Sequence, residues 1–167
     1  MRAAVSLLMV ILTACFGSPA AAQEQIADPP PPAALDDASV QNWIHQYLQT
    51  DGWIVVGADG VAVALRKDEP VGLTANGLPH TEIRHEYFHP VDFGGNQARS
   101  VLQVVVVECE HVSEYVAAME IFEHNNLHQN HGFRRFTTVT WNNAEPGTLK
   151  ARMIHAICDV APHAGSH

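Results

Sequence analysis

Two cysteines, Cys109 and Cys158, constrain this chain more than any other residues. The third cysteine, Cys15, falls inside an export-type leader, so these two are the pair left in the mature chain. Cys109 ends the longest apolar run, Ser100 to Cys109, which is apolar on both faces and reads as a central strand covered on both sides. Cys158 sits near the end of a helical pattern at the C-terminus. Two cysteines in an exported chain meet an oxidising compartment, where a disulfide persists. The expectation is a strand stapled to a helix. The bond would close a loop of about 49 residues, for which chain-entropy reasoning gives ~4 kcal/mol.

The leader has the three parts of a signal peptide over residues 1–22. Arg2 supplies the positive charge, Ala3 to Gly17 the apolar stretch, and Ser18-Pro19-Ala20-Ala21-Ala22 the small residues for cleavage before Gln23. Leu12-Thr13-Ala14-Cys15 also fits a lipobox, which would make the protein an outer-membrane lipoprotein through Cys15. Both routes lead to the periplasm or the cell surface. The apolar stretch is short for a span of ~30 Å, so no transmembrane segment is expected. Residues 23–37 read as a proline-rich linker, extended and partly disordered around Pro29 to Pro32. Residues 38–161 then form one α+β domain, and 162–167 a disordered tail. The net charge of −9 argues against nucleic acid as a partner.

Within the domain, Val40, Trp43, Ile44, Tyr47 and Leu48 share one helical face, with Asp36 or Asp37 available as a cap. Trp53 to Val56 and Val61 to Leu65 flank Gly57-Ala58-Asp59-Gly60 as a β-hairpin. Lys67 to Pro79 reads as a long loop and His80 to Phe88 as a third strand. Tyr115 to Phe122 suits a strand or a helix almost equally by propensity. Phe133 to Trp141, rich in Thr, Phe and Val, reads as the last strand. Thr148 caps a final helix whose apolar face holds Leu149, Met153, Ile154 and Ile157. The class is an antiparallel sheet with a helix at each end of the domain.

From Arg84 onward the ordered set Arg84, Tyr87-Phe88, Pro90, Arg99-Ser100, Cys109, Asn125-Asn126-Leu127, Gly132, Trp141, Pro146-Gly147-Thr148 and Cys158 resembles the surface-adhesin protein E family of exported bacterial proteins. With the Trp53 hairpin the resemblance runs from Trp53 to Val160. It implies an antiparallel sheet with a C-terminal helix tied on by the disulfide. It also implies adhesion to extracellular-matrix and serum proteins, and homodimers. The Val40–Leu48 helix and the proline run have no counterpart in that pattern.

His85-Glu86-Tyr87-Phe88-His89 is a literal H-E-x-x-H, which on a helix presents two imidazoles to zinc with the glutamate as general base. Pro90 pushes His89 away from helical dihedrals. On a strand, residues four apart lie ~13 Å from one another and cannot share one ion. His124, His128 and His131 form a second cluster, expected in a loop, and offer periplasmic metal binding as a further alternative. The three tryptophans read as core or core-edge residues. No nucleophile elbow, P-loop or dinucleotide fingerprint is present. The sequence therefore points to a non-enzymatic envelope or surface protein without a cofactor, binding an extracellular-matrix, serum or envelope protein. The alternatives are a zinc hydrolase built on His85, Glu86 and His89, and metal binding by the histidine cluster.

Overall fold

The computed structural model describes residues 27–162; the leader, Cys15 and residues 163–167 lie outside the described residues. Helix α1 (Asp37–Tyr47) starts where the Asp36 side chain accepts the Ser39 amide at 2.9 Å. Strands β1 (Trp53–Ala58) and β2 (Ala62–Lys67) make the expected hairpin, closed by Asp59, whose Oδ1 accepts the Val61 and Ala62 amides. The long loop after it contains the two-residue β3 (Gly72–Leu73). Then come β4 (Pro79–Asp92), β5 (Gln97–Glu108), β6 (Ser113–His124), β7 (His128–Arg135) and the short β8 (Asn142–Asn143). Helix α2 (Leu149–Cys158) closes the domain, with Thr148 Oγ1 accepting the Ala151 amide at 3.2 Å.

All pairings are antiparallel, and the sheet runs β1-β2-β4-β5-β6-β7, with β3 against β4 and β8 against β6. The two helices take opposite faces. On one, α1 sets Val40, Trp43 and Ile44 against Val63, Leu65 and Phe88. On the other, α2 sets Met153, Ile154 and Ile157 against Val71, Ile83, Val105 and Val107. This two-sided cover explains why Ser100 to Cys109 lacks polar alternation. The Cys109–Cys158 disulfide ties the end of β5 to the end of α2, with Cα atoms 5.8 Å apart.

Register shifts between Glu86 and Val91, where β4 bulges away from β5. Pro90 lies in this bulge, as expected of a residue with no amide proton to give a ladder. His89 and Pro90 are exposed there.

Three segments depart from the sequence reading. Tyr115 to Phe122, open between helix and strand, is strand: it pairs on both sides, with β5 and β7. The last long strand is His128–Arg135 rather than Phe133 to Trp141. The tight turn at Asn125–Leu127, where Asn126 and Leu127 have φ of 63° and 59°, sets the returning chain on the ladder at once. Backbone pairing thus outweighs the higher strand propensity of the following Thr-Phe-Val stretch. For the same reason His124, His128 and His131 stand on strands and not in a loop.

The proline run, read as partly disordered, is held against the domain. The Trp43 indole donates to the Pro30 carbonyl at 2.6 Å, and Asp28 lies 2.7 Å from His124 Nδ1 and 3.2 Å from Arg99 Nε. Proline-rich backbone leaves its carbonyls unpaired, and a mostly buried indole N–H needs an acceptor.

Candidate functional site

The H-E-x-x-H string lies on β4, in strand geometry. Alternate side chains take opposite faces, so Arg84, Glu86 and Phe88 point toward α1 and His85 and Tyr87 toward α2. Glu86 is fully buried. Its Oε1 accepts from Arg84 Nε and from Ser100 Oγ at 2.9 Å, and its Oε2 from Asn125 Nδ2 at 2.7 Å. The Asn126 amide donates to both oxygens, at 3.0 and 3.1 Å. Burial drives the carboxyl pKa up, while Arg84, Asn125 and Ser100 pull it back. Four donor groups saturate the carboxylate. A general base needs a free oxygen within reach of a substrate proton, and Glu86 offers none.

Arg84 is the hub of the same network. Besides Glu86 it donates to the Gln49 carbonyl at 2.8 Å and to Asn126 Oδ1 at 2.7 Å. Asn126 in turn donates to the Tyr47 carbonyl and accepts from the Gln49 amide. The Trp53 ring lies under the Arg84 guanidinium at 5.6 Å. One buried ion pair therefore joins the end of α1, β4, β5 and the β6–β7 turn. Sequence reasoning missed it. Its only local trace is Arg84-x-Glu86, two opposite charges at the strand period.

His85, on the other face, is shielded by the sheet and α2. Burial pushes its pKa down to about 4, against the raising effects of the Asp59 charge and the Gln103 side chain. His89 is exposed on the bulge. The string thus separates into one saturated glutamate, one half-buried imidazole on the opposite face and one solvated imidazole, and the zinc hydrolase loses its geometry. His124 is engaged by Asp28 and His131 by Glu123 at 3.0 Å. Among the described residues no group of three His, Cys, Asp or Glu side chains converges as a metal site.

The state of His85 has a measurable consequence. Its folded pKa lies below its unfolded value, so between pH 6.5 and about 4 the unfolded chain binds more protons. The stability contribution of the neutral imidazole is complete above pH 6.5 and is lost as pH falls through that window. His85 is partly exposed, so the expected loss is about 1–3 kcal/mol rather than the full shift. Denaturant titrations of the wild type and His85→Gln at pH 7 and pH 4.5 should give a smaller acid loss in the variant. An equal loss would place the acid sensitivity elsewhere.

The other distinctive surface is the β7 edge. No described strand pairs beyond β7, and seven of its eight residues are exposed. β1, at the opposite edge, is mostly half-buried, with Gly57 close under Arg152 and Leu149 of α2. After Arg135 the chain makes one more ladder bond, Phe136 N to the Ala117 carbonyl, then leaves the sheet until β8 rejoins β6 at Ser113 and Glu114. The end of β7 and the excursion carry large apolar side chains outward. Phe133 is 57% exposed, Phe136 44%, Val139 55% and Trp141 39%. Trp141 makes an edge-on contact with Tyr115, centroids 4.9 Å apart, and is not a core residue. No described helix is long and apolar enough to cross a membrane.

No family model and no curated protein matches the chain. Solved structures do. One, crystal form II of protein E of Haemophilus influenzae, shares 11% identity, covers 80% of this chain and 97% of its own, and has a TM-score of 0.48. The chain is likewise similar to protein E from non-typeable Haemophilus influenzae, at 12% identity, 68% and 79% coverage and a TM-score of 0.43.

Proposed function

We propose that this chain is an exported, non-catalytic binding module of the cell envelope or surface. It holds an extracellular-matrix, serum or envelope protein through the edge of β7 and the Phe136–Trp141 excursion. The observation that carries this reading is the row of exposed aromatic and aliphatic side chains on an open sheet edge. An open edge offers unpaired backbone groups to an added strand. Clustered exposed aromatics are what protein interfaces are rich in. The leader sequence and the disulfide support export.

Charge supports a foreign occupant over a second copy. Gln129 and His131 are tied to Glu123, and Asn130 to Glu120, but Arg134 and Arg135 have no ion-pair partner among the described residues. Two copies joined edge to edge with the two-fold axis at the exposed Phe133–Phe136 stretch would set Arg134 against Arg135, and like charges across a strand pair are destabilising. An extended segment with apolar and acidic residues fits better.

The test is retention of the oxidised mature domain on immobilised extracellular-matrix extract and on immobilised serum proteins. Retention should fall at least about tenfold in a Phe133→Ser, Phe136→Ser, Trp141→Ser variant with an unchanged melting temperature. Retention that survives the substitutions would sink the assignment. Dimers in light scattering that the same substitutions dissociate would assign the edge to a second copy.

A further inference from the structure

A groove of about 440 Å³ lies on the α2 face, away from the β7 edge, between the first turn of α2 and strands β2, β4, β5 and β6. That volume suits a small molecule. Val61, Val116, Leu149 and Met153 supply apolar walls. Glu114 is the unusual member. The residue is 6% exposed, and its Oε2 has no hydrogen-bond partner among the described residues. Its Oε1 lies 3.6 Å from Lys150 Nζ, an ion pair whose lysine end is 40% exposed. A buried carboxylate oxygen without a donor is costly unless a donor arrives.

We propose that this groove binds a small organic cation, a primary amine or guanidinium on a short carbon chain, donating to Glu114 Oε2. The acidic side chains facing it are Glu114 and Asp59, against the one basic side chain Lys150; burial raises the Glu114 carboxyl pKa and Lys150 pulls it back. His85 also lines it, but burial keeps that imidazole neutral at pH 7, with a pKa down to about 4. Tyr87 keeps its hydroxyl proton, pushed up to about 12 by burial and then by Asp59. The balance is one net negative charge. The amino end of α2 opposes it with only about half a positive charge. The His85 and Tyr87 rings, stacked with centroids 6.3 Å apart, give the bound cation an aromatic surface. Lys150, on the exposed side, can swing outward and yield Oε1 as well. An anion would meet two carboxylates and leave Oε2 unsatisfied.

Calorimetric titration with agmatine, 1,5-pentanediol and glutarate decides it. Agmatine should bind and the other two should not. Glu114→Gln should weaken agmatine at least about tenfold, the loss of a charge-assisted hydrogen bond. Lys150→Met, which leaves the Glu114 carboxylate without its partner charge and so lowers stability, should strengthen it several-fold. Melting temperatures of both variants check folding. No binding of agmatine to the wild type at millimolar concentration, equal binding to Glu114→Gln, or weaker binding to Lys150→Met would overturn the assignment. So would a preference for glutarate.

Discussion

Replacing Arg84 with methionine should destabilise the domain by about 3–5 kcal/mol, the usual cost of leaving a buried partner charge uncompensated. Glu86 would keep Ser100, Asn125 and the Asn126 amide but lose its counter-ion. The end of α1 would also lose its tie to β4 through the Gln49 carbonyl. The loss approaches the whole stability of a marginal domain, so the single variant should fold poorly or melt near room temperature. Replacing both members, Arg84→Met with Glu86→Leu, removes the stranded charge and should recover much of the deficit, because apolar isosteres of buried ion pairs are often neutral. Urea denaturation of the two variants separates the roles of Glu86. A glutamate serving as a catalytic base would be replaceable at little cost in stability, and the double variant would show no recovery. A deficit that reverses in the double variant identifies a structural counter-ion.

The disulfide gives the second large effect. Cys109→Ser with Cys158→Ser, or reduction of the wild type, should cost about 4 kcal/mol for a closed loop of 49 residues. α2 would still bury Met153, Ile154 and Ile157 against β5, so the variant should retain helix signal in mild conditions while its denaturation midpoint falls. An unchanged midpoint would mean that α2 packing alone fixes the helix, and that the bond adds nothing beyond it.

What the sequence revealed, and what it hid, follows from how far each signal reaches along the chain. Thr148 announces α2 because a cap acts over three residues, and the structure shows its hydroxyl on the Ala151 amide. The Ser100 to Cys109 run announces a doubly covered strand because the whole segment is apolar. Tyr115 to Phe122 was undecidable locally, since its alanines suit a helix and only pairing with β5 and β7 makes it strand. Phe133 to Trp141 misled because strand propensity follows side-chain packing, whereas the turn at Asn126 and Leu127 had already fixed which residues meet the ladder. The candidate sites were hidden for the same reason. Glu86 draws its donors from β4, β5 and the β6–β7 turn, and Glu114 faces Lys150 from 36 residues away. The H-E-x-x-H string was the loudest motif in the chain, and strand geometry divided it between two faces of the sheet.

Part of the set behind the protein E resemblance gathers around Glu86. Arg84, Ser100, Asn125 and Asn126 all touch Glu86 or its partners, and Cys109 and Cys158 form the staple. These six hold the frame together, whereas Gly132 of the same set lies on β7 and Trp141 in the excursion beside it.

Amide hydrogen exchange of the oxidised domain, with and without partner protein eluted from the matrix or serum column, tests the binding account most directly. Protection confined to residues 128–141, with β1 at 53–58 unchanged, is the predicted result. Protection at β1 or over α1, with β7 exchanging as in the free protein, would contradict it.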